Sequence, residues 1–552
     1  MKKVLPLNED NVFDNRPLKV LIHSQETDFG FSITNSYAWI NLHRFYNLLY
    51  EIGYLSEKQF GFPVEFITDP VNDPSKNEYL TYLESGLSFD LIFPSKIWSL
   101  NEARIYWQEE WVQKSYYMNL TPYISYCPDV YANMPEFDEI MSIFKRGEDL
   151  YALYAGVPDI SHLVLMVKNE LKDTYQIQYI KNFDMLFALL ERINSDKDPV
   201  KTVKISVYPQ DLLRVATIKA GYYPLTTSPR NLIDDFQVVY KLEDENCKPY
   251  FIEDTEILDI YMELFEPFFK KSYFTHSWPT TVSKYTNNEV SMWLDDYLFN
   301  EIRRCLYLSE FDDDHTMNHY SPIMIDMENT VYRNILSIQP IFVPYTCNQP
   351  EKALSFVNWL FTDEEVADLL TFGTDKGVLS GYRFVNDIIT YNKDGLTVYL
   401  FHNLIANFSN RLFPFNNQAF DRTDEYKNLA KKAEFPPLYK AIVSVQNKDA
   451  FDLLKLTDNQ RRSMQKRTEY LQSVLDHFLE DPESRVTADR IKNDLREMLD
   501  QADLLEEYKK HIDELIDYYK LQRSKIMPIF HCYLYFAIPL LHACNQNQRH
   551  IL

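Results

Sequence analysis

Few residues of this chain are arranged for bond-making chemistry. Asp312, Asp313, Asp314, His315 and His319 bring carboxylates and imidazoles close together, and His315 and His319 stand four apart, as two metal ligands on one helix face would. No helical pattern surrounds them and no ligand motif is completed, so the run reads as a solvated acidic loop. Asp295 and Asp296 are adjacent, and adjacent acids point different ways, whereas glycoside hydrolysis needs two carboxyls facing across a bond. No G-x-S-x-G elbow, H-E-x-x-H, G-x-G-x-x-G or G-x-x-x-x-G-K-[ST] occurs. Cys127, Cys247, Cys305, Cys347, Cys532 and Cys544 are scattered and form no C-x-x-C pair, which argues against zinc or dithiol redox chemistry and reads as buried free thiols. No catalytic residue, metal or cofactor is expected.

Groups suited to holding a ligand are better represented. The chain has 40 Tyr, 36 Phe and 7 Trp, enough both for large aromatic cores and for stacking platforms in a cleft. Asp28 and Trp98 fall just past the ends of apolar strand-like runs, and Trp39 lies on the helix after the first run. Trp278 lies in a loop region after a later helix. For each tryptophan core packing is the alternative, and for Asp28 a helix-capping or loop role. A net charge of −25 repels phosphate backbones, so nucleic acid is not an expected partner, whereas an uncharged ligand suits such a surface.

The elements that must position these residues alternate. Leu18–Ile22 reads as a buried strand, 36–54 as a helix with Ile40, Phe45, Leu48, Leu49 and Ile52 on one side, and 63–68 as a second strand. A short helix over 79–85 and a strand over 90–93 follow. Strands alternating with helices imply a parallel α/β sheet, whose ligands bind at the carboxyl ends of the strands. Residues 253–256 open a helix running through Phe265. At 552 residues the chain is too long for one simple core, so at least two lobes are expected.

Residues 348–365, NQPEKALSFVNWLFTDEE, encode two helices in series. Asn348 reads as an N-cap with Pro350 in the first turn and Glu351 reaching back, and Thr362 with Glu365 as a second capping box. Ala353, Phe356, Val357 and Leu360, then Val366, Leu369 and Leu370, form the apolar stripes, and Gly373 sits where a helix-ending glycine belongs. The wording resembles the PEKAL-x-F-x-N-W-L-x-x-DEE segment of bacterial extracellular solute-binding proteins, family 1-like and closest to the large lipoprotein-type branch. Further segments resemble that family in order: Phe89–Trp98, Met118–Ile124 with Leu120-Thr121-Pro122, the lobe-crossing segment Gly147–Tyr154 with tyrosine where proline is usual, and Val164–Leu171 with Asn169 in place of aspartate. Met292 and Trp293 resemble its M-x-x-W neighbourhood, whereas Gly373–Leu379 departs from G-x-E-G-x-x-Y. Leu336–Thr346 returns the chain to the first lobe, and Ile491, Leu495, Met498, Leu499, Ala502, Tyr508, Ile512, Leu515 and Tyr519 give the C-terminal part helical periodicity.

The resemblance spans 17–520 by organisation and implies a two-lobed α/β, periplasmic-binding-protein-like fold, type II-like, with a helical C-terminal extension. The expected divisions are an N-terminal segment 1–16, lobe 1 from 17–155 and 323–372, lobe 2 from 156–322 and 373–520, and a hydrophobic tail 521–552. It implies a non-enzymatic, monomeric subunit of an ATP-driven carbohydrate importer, capturing an oligosaccharide between its lobes by hinge closure. Its partners would be the sugar and the importer's membrane subunits, and its place the cell surface, by anchor or by docking to the importer. Asp28, Trp39, Trp98 and Trp278 are then the sugar-binding candidates, with rings stacking on C–H faces and a carboxylate taking hydrogen bonds from hydroxyls. The other readings are a carbohydrate-active enzyme with a similar cleft and a non-exported, degenerate relative. No signal peptide is legible from Met1 to Asp10, because acids follow a short apolar run. The apolar run Ile526–Ala543, with Pro528 and Pro539 inside it, leaves a packed tail, a membrane anchor and a sequence-boundary artefact open.

Overall fold

The computed structural model describes residues 13–24, 38–70, 88–93, 116–134, most of 145–276, 291–295, 320–325, 332–333, 340–372, 382–385, 388–391, 405, 407, 433–434, 458–481, 486–498 and four positions from 510 to 517.

Two α/β cores organise the described chain. In the first, strand β1 (Leu18–Ser24) lies between β2 (Val64–Pro70) and β3 (Leu91–Phe93), all parallel, with Leu18 opposite Val64 and Val20 opposite Leu91. Leu18, Val20, Leu21 and Ile22 are all buried, as expected of a strand covered on both faces. Helix α1 (Ala38–Phe60) covers the sheet with Leu48, Leu49, Ile52 and Leu55, while Tyr46, Tyr50 and Tyr54 stay on its exposed side. The expected helix over 79–85 lies outside the described residues.

Short strands β4 (Lys145–Arg146) and β5 (Asp149–Leu150) pair antiparallel, and β6 (Ile160–Ser161) follows them. The second core surrounds a five-stranded sheet of β7 (Val164–Lys168), β8 (Ile205–Val207), β12 (Phe274–His276), β13 (Met292–Asp295) and β14 (Tyr320–Met324), in the order β12-β8-β13-β7-β14. β12 and β13 run parallel to β8, whereas β13 and β14 run antiparallel to β7. The sheet is therefore mixed, not the uniform parallel sheet that alternation implied. Met292 and Trp293 are buried strand residues within it.

Helix α6 (Ile257–Lys270), counted after α2 (Pro128–Asn133), α3 (Asn169–Tyr175), α4 (Phe183–Ser195) and α5 (Pro209–Lys219), packs an aromatic face here. It was expected to open at 253–256; instead a 3-10 turn occupies Ile252–Asp254 and the helix starts at Ile257 and passes Phe265. Phe268 stacks on Phe274 with ring centroids 4.6 Å apart.

A small antiparallel sheet of β9 (Tyr222–Pro224), β10 (Val238–Lys241) and β11 (Pro249–Phe251) joins the cores. Alternate residues serve alternate sides: Tyr222 and Val239 enter the second core, Tyr223 and Tyr240 the first.

The motif helices α7 (Pro350–Thr362) and α8 (Glu364–Phe372) return to the first core through Ala353, Phe356, Val357, Leu360, Val366 and Leu370. Their caps differ from expectation. Gln349, not Asn348, is the N-cap, and its Nε2 donates to Asp90 Oδ2 at 3.0 Å instead of closing on its own helix. At the second start Asp363 Oδ1, not Thr362, accepts from the N–H groups of Glu365 and Val366, both at 2.9 Å, while the Thr362 hydroxyl donates back to Asn358 O. Asn407 closes the other end of α7 by donating to Leu360 O at 2.9 Å and Asp363 O at 2.7 Å. Gly373 lies outside the described residues.

Helices α9 (Asp458–Glu480) and α10 (Ala488–Glu497) join the second core through Leu471, Leu475, Phe478, Ile491 and Leu495. Met498, expected on the same stripe, is 36% exposed, and the later stripe residues lie outside the described chain. β14 runs across the expected lobe boundary at 322/323, and Ile405, expected in lobe 2, is buried in the first core. No helix among the described residues is long and apolar enough to cross a membrane; the 521–552 tail is not among them.

Candidate functional site

Strand register shows where the two cores meet along the chain. Ile92 of β3 pairs antiparallel with Phe342, exchanging hydrogen bonds of 2.8 and 3.1 Å. The returning chain therefore enters the first sheet past the carboxyl end of β3. Leu153 pairs antiparallel with Ile341, through bonds of 2.9 and 2.8 Å, so the outgoing segment leaves beside the incoming one at that same end. A second pairing, Tyr332 with Ser161 and Arg333 with Ile160, joins the two segments again beyond the first sheet.

The second sheet presents the matching end. β7 enters at Val164, and Asp295, the last residue of β13, and Met324, the last of β14, both pair with Val164. Because β8 and β12 run parallel to β13, Val207 and His276 also lie toward this end. The carboxyl ends of β1, β2 and β3 in one core and of β8, β12 and β13 in the other thus all face the crossing. Strand ends gathered at such a point are where α/β sheets take ligands.

Asp28, Trp98 and Trp278, the sequence candidates, lie outside the described residues. Trp39 sits in the first turn of α1, with its side chain outside the described set. Their chain positions still follow β1, β3 and β12 respectively, three of the strand ends that face the crossing. Asp312–His315 and His319 are likewise outside the described residues, as is the side chain of Asp295.

The rim residue missed by the sequence reading is His276, whose Nε2 lies 3.0 Å from Asp476 Oδ1, each side chain 30% exposed. Gln472, one turn earlier on α9, donates to the same oxygen at 2.8 Å. Beneath the rim, burial first and the Asp476 charge second push the Tyr261 hydroxyl far above the ordinary phenol range. Burial pushes the Cys127 and Cys347 thiols up to about 12, so neither offers a thiolate at neutral pH. Tyr273, hydrogen-bonded to Glu191, is pushed up to about 12, mainly by burial. These groups are scaffold. Among the described residues the rim holds hydrogen-bonding groups and strand ends, an arrangement suited to holding a ligand.

No protein-family model matches the sequence, and no curated protein matches it. Among solved structures the chain is similar to an N-glycan transport solute-binding protein from Streptococcus pneumoniae, at 14% identity, covering 91% of this chain and 99% of that one with a TM-score of 0.51. It is also similar to an extracellular solute-binding protein from Bifidobacterium longum subsp. infantis, at 11% identity, 91% and 98% coverage and a TM-score of 0.47. The first likeness establishes the fold. The chain has the two-lobed α/β fold of that structure, as its sequence led one to expect.

Proposed function

We propose that this chain is the ligand-capture subunit of an ATP-driven carbohydrate importer, working outside the cytoplasm as a monomer. Two sheets pointing their strand ends at one crossing support that reading most directly. Contacts made to a ligand by both lobes would favour a closed state, which the importer's membrane subunits recognise. Asp28, Trp39, Trp98 and Trp278 are the proposed ligand contacts, and the ligand an oligosaccharide, bound without breaking a bond. The proposed lobes follow the expected divisions, except that β14 goes with lobe 2 and Ile405 with lobe 1.

Titration calorimetry over an oligosaccharide panel, with product analysis of each mixture, tests the reading. Saturable binding without product is expected. Turnover of the sugar would replace it with a carbohydrate-active enzyme, and absence of binding across the panel would remove the carbohydrate class.

A further inference from the structure

The imidazole of His276 is built into the crossing-side rim of the second lobe. β12 is the edge strand of its sheet and ends at this residue. Two residues earlier, on the same face of the strand, Phe274 is 2% exposed and stacked on Phe268, so the backbone leading to the rim is held firmly. The ring itself is oriented by Asp476 at 3.0 Å, and Asp476 by Gln472 at 2.8 Å.

That contact decides the tautomer. An ionised carboxylate only accepts hydrogen bonds, so His276 must donate from Nε2. The neutral ring then carries its lone pair on Nδ1, which has no hydrogen-bond partner among the described residues. This oriented acceptor stands at a strand end on the crossing side, and its side chain is 30% exposed. A tryptophan ring, whose N–H only donates, cannot supply such a group.

We propose that His276 is a ligand-binding residue of the second lobe, with Nδ1 accepting a hydrogen bond from a sugar hydroxyl and Asp476 acting as its positioning residue. The C-terminal helix α9 is then part of the binding apparatus, because it carries Asp476 and Gln472. This assignment rests on the carbohydrate reading above.

Two near-isosteric substitutions separate the nitrogens. In His276→Gln the side-chain amide reaches the Nε2 position and keeps the Asp476 contact, but the Nδ1 acceptor is gone. In His276→Asn the amide occupies the Nδ1 position and the Asp476 contact is lost. Wild-type protein is first titrated with the oligosaccharide panel; no saturable binding there removes the carbohydrate reading and this assignment with it. Where wild type binds, His276→Gln is expected to weaken affinity about three- to tenfold at an unchanged melting temperature. His276→Asn keeps a polar group near Nδ1 but loses its positioning by Asp476, so it should bind more weakly than wild type, more tightly than His276→Gln, and melt lower. Asp476→Leu, which frees the ring, should also weaken binding, whereas Asp476→Asn keeps an acceptor for Nε2–H and should not. Wild-type affinity in both His276→Gln and Asp476→Leu would overturn the assignment and leave the carbohydrate reading standing.

Discussion

Asn358 caps a helix in a distant part of the chain by holding Asp129, 229 residues earlier: its Oδ1 accepts the N–H of Asp129 at 2.9 Å, and its Nδ2 donates to Asp129 Oδ2 at 3.0 Å. The same Oδ1 takes the N–H of Val130 at 3.2 Å. The first turn of a helix leaves N–H groups without intrahelical partners, and α2 draws its acceptor from another helix rather than from its own Cys127. The amide does both jobs from its two ends, Oδ1 accepting from the backbone and Nδ2 donating to the neighbouring carboxylate.

Asn358→Ala should therefore cost about 0.5–2 kcal/mol of stability, the range for a lost N-cap. Asn358→Asp should not rescue it, since a second carboxylate would face Asp129. Chemical denaturation of the three proteins measures both effects. Ligand affinity should stay at the wild-type value, because α2 and α7 belong to the scaffold of the first core.

How much of this was legible beforehand depends on what each residue answers to. The apolar runs at Leu18–Ile22 and Ala353–Leu360 report burial directly, and both elements formed where periodicity placed them. Caps were legible in kind but not in partner. Gln349 and Asn358 serve Asp90 and Asp129, hundreds of residues away, whereas Asn348 and Thr362 were read as serving their own helices. His276 gave no local signal at all, since its meaning comes from Asp476, 200 residues later, and from the register of β12 against β8.

Trp98→Ala and Trp278→Ala should each weaken oligosaccharide binding about tenfold or more, about 1.4 kcal/mol, without unfolding the chain. Calorimetry together with thermal melting decides the matter. Unchanged affinity, or a collapse of the fold, would make these rings ordinary core residues.

The N-terminal segment is clasped by Lys352, a buried lysine whose Nζ donates to Asp14 O at 3.1 Å and also to Arg16 O, with Phe62 beneath it at 4.3 Å. Asp14 is held below the usual carboxylate range, first by its hydrogen bond from Arg16. A carboxyl with a depressed folded-state pKa adds stability above its unfolded value and loses it as pH falls through the folded one. The stability gap between wild type and Asp14→Asn should accordingly be constant near neutrality and close progressively below about pH 4. Denaturation curves at stepped pH would show it.

Cys127 and Cys347 should resist alkylation in the native protein at pH 8 and react once it is unfolded, since burial holds both thiols at about 12. Peptide mapping after labelling identifies each site. Rapid native labelling of either would mean that the first core opens locally around α2 or ahead of α7.

Arg467 ties the C-terminal helices to the second lobe, and its replacement tests whether they are integral. Its guanidinium is fully buried, with Nη2 2.7 Å from Glu253 Oε2, Nε 3.0 Å from Gln237 Oε1 and Nη1 2.6 Å from Leu495 O. Glu253 keeps its other oxygen, Oε1, without a hydrogen bond among the described residues, so the Arg467 contact carries the pairing of its carboxylate. Arg467→Met should strand that carboxylate and cost about 3–5 kcal/mol. Adding Glu253→Leu removes the stranded charge, so the double variant should recover most of the loss even though the ion pair is absent. Denaturation of the four proteins in a mutant cycle measures the recovery. If Arg467→Met melted like wild type, α9 would be a loosely attached appendage, and its Asp476 could not hold His276 in place.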